Sequence, residues 1–259
     1  MTVPGGDGTS TGTGDARVVI VTGALGGMGR AICEALQAGG WTVAGLDLPE
    51  VVASLTDYEF PGLLLGADIT SMGDLESAFD EVARLAAAPT ALVNCAGVGA
   101  PDPLVHMSVD RVRWVIEVNL IAAIAAMSLF ARHWIAGESR RPDGVTGAIV
   151  NISSLAAYGS NVGSSAYVSS KAGLIGATRV AANELGPLGV RVNAILPSFT
   201  GTPLTAGTTD EVRAEYLSRT PLGRFPDLHE MAATVTWLLS PDASYVSGAE
   251  LRVTGGRLF

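Results

Sequence analysis

Tyr167 and Lys171 stand four residues apart in Tyr167-Val168-Ser169-Ser170-Lys171, and Ser154 lies thirteen residues before the tyrosine, in Asn151-Ile152-Ser153-Ser154. On a helix, a spacing of four puts both side chains on one face, with the ammonium beside the phenol. A phenol of pKa near ~10 is a poor base at neutral pH, and a neighbouring cation favours its ionised form. Tyr167 could then exchange a proton with an alcohol or carbonyl oxygen while the Ser154 hydroxyl orients that oxygen. The same spacing also arises when a packed ring sits beside a solvated charge, so the meaning of the pair depends on what else the chain brings to it.

Much of the remainder is a nucleotide signature. Thr22-Gly23-Ala24-Leu25-Gly26-Gly27-Met28-Gly29 follows an apolar strand and opens into a helical pattern at Arg30. Such a turn lets backbone N–H groups and a helix N-terminus meet a pyrophosphate, with Gly23, Gly27 and Gly29 as the positions that need glycine and Leu25 and Met28 beside them. Asp47, eighteen residues beyond Gly29 and followed by Leu48, sits at the end of the next strand, near the ~20-residue offset of a ribose-binding acid. Its carboxylate would accept both ribose hydroxyls and repel a 2′-phosphate, and no Lys or Arg occupies 24–28 or 48–50. NAD is therefore expected over NADP. Asp68-Ile69 and Asn94-Cys95-Ala96-Gly97 close two later strands, at the edge where open α/β sheets bind ligands. Asp68 either takes the adenine amino group or caps the next helix.

These residues need strand ends and one helix to hold them. β-branched runs at Val18-Val19-Ile20-Val21, Trp41 to Leu46, Gly62 to Gly66, Ala91 to Asn94, Ala148 to Ile152, Val190 to Leu196 and Glu250 to Val253 predict seven strands. They alternate with helical periods at Ala31 to Ala38, Ser71 to Ala87, Ser108 to Trp134, Ala166 to Leu185, Asp210 to Ser218 and Leu228 to Leu239. This rhythm predicts an α/β fold, a single doubly wound domain over 16–259 with a parallel sheet flanked by helices on both faces. Ser71 and Asp227 are candidate caps, and Gly186-Pro187 a stop signal. The loops Gly137 to Gly147 and Ser198 to Thr209 are long enough to be functional.

Composition narrows the class. With 259 residues, 48% hydrophobic and 16% charged, the chain has ample material for a covered sheet. Sixteen Lys+Arg against twenty-five Asp+Glu leave a charge of −9, which repels nucleic acid and anionic membranes. Residues 1–15 are Gly/Thr-rich without a basic or apolar region, which predicts a flexible tail and no signal peptide. Leu120 to Phe130 is the most apolar run and falls short of a ~18-residue span. Two cysteines, Cys33 and Cys95, imply neither a disulfide framework nor a metal cluster and fit a reducing cytoplasm. His106, His133 and His229 lack ligand spacing, so no metal is expected.

Taken together the chain resembles the short-chain dehydrogenase/reductase family in its common form, over essentially Arg17 to the C-terminus. The matching pieces are Thr22-Gly-x-x-x-Gly27-x-Gly29, Asn94-x-Ala96-Gly97, Asn119 in Glu117-Val118-Asn119-Leu120, Asn151-x-Ser153-Ser154, Tyr167-x-x-x-Lys171, Arg191-Val192-Asn193-Ala194 and Thr254-Gly255-Gly256. The resemblance implies a Rossmann-type sheet, a homotetramer, and an NAD-dependent interconversion of a secondary alcohol and a ketone. It makes Tyr167 the general acid/base, with Ser154 and Lys171 assisting and Asn119 holding a water in a proton relay; the plainer alternative is that Asn119 satisfies buried backbone in its own helix. It carries cofactor contacts to Pro197, Thr200 and Thr202. Cys95 and Ser198 depart from the family's usual asparagine and glycine, and Cys95 is read as a small packed hydrophobe.

The resemblance also implies a substrate lid over 198–220, whose closure would exclude water. Around Ala156 to Ser165 there is no fixed cation, which points to a small, neutral, fairly apolar alcohol or ketone. Two other readings stay open: an NADPH-dependent 3-oxoacyl-thioester reductase, and a nucleotide-binding regulatory protein without chemistry.

Overall fold

All seven apolar runs form strands, and all are parallel. They are β1 (Val18–Thr22), β2 (Thr42–Asp47), β3 (Leu63–Gly66), β4 (Ala91–Asn94), β5 (Gly147–Ile152), β6 (Val190–Pro197) and β7 (Glu250–Val253), in the order β3-β2-β1-β4-β5-β6-β7. The computed structural model describes residues 17–136, 147–159, 162–202 and 205–258. The tail expected over 1–15, and the loop expected over 137–147 apart from Gly147, lie outside the described residues.

Parallel strands need crossovers, and the helices supply them on both faces. They are α1 (Gly27–Ala38), α2 (Pro49–Ala53), α3 (Met72–Leu85), α4 (Val109–Ile116), α5 (Ala122–Ala136), α6 (Ser165–Leu185), α7 (Asp210–Ser218) and α8 (Leu228–Leu239). On one face Phe79 of α3 and Phe130 and Trp134 of α5 pack over Ile20, Leu92 and Ile149. On the other, Ile32 and Leu36 of α1 meet Val235 and Leu238 of α8 across Val19, Val93 and Val150. Phe79 and Phe130 are wholly buried, each contributing roughly 1.5–3 kcal/mol relative to an exposed side chain.

Three boundaries differ from expectation. Helix α1 starts at Gly27, because the glycines of the turn already form its first turn. Helix α2 is short and unforeseen, begun by Pro49, whose fixed φ suits a first helical position. The helix expected from Ser108 to Trp134 is interrupted by a π turn at Glu117–Ile121. Val109–Ala136 is the one span among the described residues long and apolar enough to cross a membrane. Here Ala122, Ala126, Phe130 and Trp134 bury one face of it in the core.

The chain runs outward from β1 to β3 and then returns to β4 on the other side, so β1 and β4 diverge at a switch point. Register aligns Thr22 with Asn94 and Asn94 with Asn151, which places a polar row at the carboxyl edge, where such sheets open a crevice.

Candidate active site

A cleft of about 1040 Å³ lies along that edge. Its first wall is the glycine turn. Gly23 takes a positive φ of 66°, and a Cβ there would sit 2.7 Å from Ala96 Cα; a Cβ on Gly29 would fall 2.1 Å from the Gly23 carbonyl oxygen. Only hydrogen fits at either place. The Thr22 hydroxyl accepts hydrogen bonds from the Cys95 and Ala96 amides, both at 3.2 Å, and so ties the β1 turn to the β4 turn.

Gly26 caps α1 without a side-chain hydrogen bond, and no acid occupies the first turn. The open amides and positive helix end therefore face the cleft, which Gly26, Gly27, Met28 and Gly29 line. Asp47 Oδ2 accepts the Leu25 amide at 2.8 Å and Oδ1 accepts the Leu48 amide at 2.9 Å. Leu25, Leu48, Ile69 and Asp68 stand in the same wall. Asp68 Oδ1 accepts from the amide and hydroxyl of Thr70 at 2.9 and 2.7 Å, while Ser71 caps α3; of the two readings of Asp68, the helix cap falls away. Uncapped amides beside an acid in the wall of the same cleft fit a dinucleotide: Gly23 to Gly29 would hold the pyrophosphate and Asp47 a ribose.

The second wall joins β5 to α6. Ser154 ends the β5 segment, its Oγ accepting the Ala156 amide at 3.1 Å and hydrogen-bonding the Tyr167 phenol. One helical turn on, Lys171 is 4% exposed and donates to the Ile152 carbonyl at 2.9 Å, with Nζ 5.9 Å from the Tyr167 ring centroid. A Cβ on Gly97 would lie 3.3 Å from that Nζ, so the Ala96-Gly97 turn passes directly over the ammonium. Burial pushes Lys171 down to about 8. Burial also pushes Tyr167 up, against the pull of the Ser154 hydrogen bond. The lysine does not lower the phenol as expected: burial governs it, and the downward pull comes from Ser154. Cys95 is pushed up to about 12 by burial, consistent with a packed, protonated thiol.

Two predicted residues do not line the cleft. Asn94 is 4% exposed and its side chain turns into the core, donating to Asn151 Oδ1 at 2.8 Å, while Asn151 donates to Thr178 Oγ1 at 2.9 Å. Asn119 is 1% exposed within the π turn. Its Oδ1 accepts the Val98 amide at 2.8 Å, and its Nδ2 donates to the Val98 carbonyl at 2.9 Å and to Ser170 Oγ at 3.1 Å. Its side chain thus satisfies buried backbone, though of the loop behind Gly97 and not of its own helix.

The far wall begins where β6 ends at Pro197. Pro197, Ser198, Thr200 and Thr202 line the cleft, with Thr205 Oγ1 donating to the Thr200 carbonyl at 2.6 Å. Phe199 packs on Tyr216 of α7 and on Phe225, ring centroids 5.2 and 4.9 Å away. Trp114, Tyr216 and Arg257 also border the cleft; Tyr216 falls within the lid expected over 198–220, whereas sequence reasoning missed Trp114 and Arg257. Arg257 had one visible signal, its place directly after Gly255-Gly256.

The profile of the family described as enoyl-(acyl carrier protein) reductase matches residues 23–257. The (3R)-3-hydroxyacyl-CoA dehydrogenase of Canis lupus familiaris is 35% identical, over 92% of this chain and 95% of that protein. The 3-oxoacyl-[acyl-carrier-protein] reductase FabG of Vibrio harveyi is 33% identical, over 93% and 97%. Among solved structures, 4-hydroxyisoleucine dehydrogenase complexed with NADH superposes with a TM-score of 0.82 at 26% identity, covering 93% of this chain and 98% of that one.

Proposed function

The chain belongs to the short-chain dehydrogenase/reductase family, and from that premise we propose that it interconverts a secondary alcohol and a ketone with NAD as cofactor. The observation that carries the reading is the Tyr167 phenol, hydrogen-bonded to Ser154 and one helical turn from the buried Lys171, in the wall of the cleft that α1 enters. A dinucleotide bound there supplies the hydride acceptor for oxidation, or the donor for reduction. Tyr167 Oη takes the proton of the alcohol or returns one to the carbonyl oxygen. The Ser154 hydroxyl orients that oxygen, and the positive charge of Lys171 beside the Tyr167 ring favours the phenolate from which oxidation starts and which reduction leaves. Asn119 acts by clamping Val98 and so the turn above Lys171.

NAD is favoured by Asp47, whose carboxylate stands where a 2′-phosphate would add like charge. The nearest cation in the chain after the glycine turn, Arg30, is engaged elsewhere, donating to the Leu25 carbonyl at 2.9 Å and covering the Tyr58 ring at 4.4 Å. The relatives named for acyl thioesters favour a second reading, reduction of a 3-oxoacyl thioester; Asp47 argues against NADPH in that reaction. Exposed Trp114, Ile121 and Ile124 on α4, the π turn and α5 support assembly as a homotetramer, and the thiols of Cys33 and Cys95 suit a cytoplasmic setting.

The test is purified protein with NAD or NADP and a panel of secondary alcohols, 3-hydroxyacyl thioesters included. Reduced nicotinamide formed with NAD supports the reading. Binding without turnover of any alcohol would leave a regulatory nucleotide-binding protein instead.

A further inference from the structure

The Thr254-Gly255-Gly256 motif has no role in the chemistry above, yet its conformation fixes the residue that follows. After β7 the chain turns through Gly255 at φ 61° and Gly256 at φ 87°, where an added Cβ would meet Thr220 Cγ2 and Pro221 Cγ, each at 2.9 Å. The Leu222 amide donates to the Gly255 carbonyl at 3.0 Å, fastening this turn to the segment after α7. Arg257 is next, 7% exposed, with its amide on the Thr254 carbonyl at 3.2 Å and its guanidinium carbon 3.9 Å from the Tyr216 ring centroid. Tyr216 in turn lies close enough to Tyr167 to add to the upward push on that phenol.

Charge in the cleft is sorted by position. The acids in its walls, Asp47, Glu50 and Asp68, belong to the β2 and β3 ends, where the ribose and adenine would lie; the cations are Lys171 and Arg257. Lys171 is buried beneath the proton-transferring phenol. Arg257 borders the same cleft from the turn after β7, its guanidinium over the ring of Tyr216 of α7, which also lines the cleft.

We propose that Arg257 is the specificity determinant that receives a carboxylate, so that the substrate is a free hydroxy or oxo carboxylic acid and not a neutral alcohol. This deepens the alcohol–ketone reading and rests on it. A guanidinium keeps its charge when buried, and one laid over an aromatic face is held there by the ring quadrupole, with its N–H fork directed outward in its own plane. That fork matches a carboxylate in bidentate geometry. A neutral substituent would gain nothing from a buried cation, and a thioester carries no charge at the acyl carbon. The carboxylate makes and breaks no bond: Arg257 would hold it while the substrate hydroxyl gives its proton to the Tyr167 phenolate, and bound NAD would serve as the hydride acceptor that turns the hydroxy acid into the oxo acid.

The experiment measures kcat/KM of the full chain with NAD on hydroxy acids bearing the hydroxyl on the second, third or fourth carbon, each beside its methyl ester. The wild type should favour at least one acid over its ester by about tenfold or more, a preference that needs no variant to observe. Arg257→Met should lower kcat/KM for that acid by about 10- to 100-fold, mainly through KM. The ester and NADH binding, followed by nicotinamide fluorescence, should stay within about threefold, and Arg257→Lys should recover part of the loss. A wild type that prefers every ester, or an Arg257→Met variant that loses acid and ester alike, would overturn the proposal. No turnover of any acid or ester by the wild type is a different result: it removes the alcohol–ketone reading, and this proposal with it.

Discussion

The amide of Leu25 donates to the carboxylate of Asp47 at 2.8 Å across twenty-two residues of chain, so the acid that closes β2 also braces the glycine turn of β1. One side chain thereby joins the β2 end of the cleft to its glycine turn.

Asp47→Asn should therefore act twice. Loss of the charge removes repulsion of a 2′-phosphate, and the ratio of kcat/KM for NAD to that for NADP should fall by about tenfold or more. The weakened brace should raise KM for both cofactors. Steady-state kinetics with the two cofactors checks this; an unchanged ratio would sink the assignment of NAD.

Tyr167→Phe keeps the ring and removes only the oxygen. Turnover should drop by about 10²- to 10⁴-fold, while cofactor affinity stays within about twofold. Ser154→Ala should cost less turnover than Tyr167→Phe, because its hydroxyl orients but does not carry the proton. Stopped-flow single turnovers with cofactor titrations separate the two effects.

Asn119→Ala leaves the amide and carbonyl of Val98 without their partner. Unfolding free energy should fall by roughly 2–4 kcal/mol, since buried polar groups lose their hydrogen bonds. Asn119→Asp keeps an acceptor for the amide but sets oxygen against the carbonyl, and should not restore the full loss. Urea denaturation measures both; stability equal to wild type would mean the clamp is dispensable.

Lys171 gives a pH signature. Its folded value of about 8 lies below the ordinary 10.5, so between those values the unfolded chain holds more protons, and this group makes stability rise with pH. Below about 8 the buried ammonium exerts its full cost. Cys95, pushed up from 9.0 to about 12, acts in the opposite sense above about 9, because there the fold retains a proton that the unfolded chain has lost. Lys171→Met removes the first contribution and also the downward pull of the ammonium on the Cys95 thiol. Any stability advantage of the variant should shrink between about pH 8 and about pH 10 in urea titrations; a constant gap would contradict the burial of the charge.

Much of this was legible in the chain. Alternating apolar runs fixed the seven strands, because a parallel sheet covered on both faces needs nearly unbroken hydrophobic strands, and Glu250–Val253 and Asp210–Ser218 fall as the pattern places them. Asp227 was readable as a cap for a local reason, and it forms a capping box with Glu230. The pairing of Ser154 with Tyr167 was readable from spacing and family resemblance together.

Direction was not legible. Asn94 and Ala96 stand two residues apart at one strand end, yet Asn94 turns into the core toward Asn151 while Ala96 borders the cleft. The π turn at Glu117–Ile121 that sets Asn119 against Val98 has no signature in composition. Arg257 reached the cleft only because two left-handed glycines, pressed against Thr220 and Pro221, turn the chain back under Tyr216. Local propensity and periodicity belong to neighbouring residues, so the sequence alone determined the strands, the glycine turn and the reactive groups. Which side chains face one another depends on contacts between segments distant along the chain, and those only the packed structure decided.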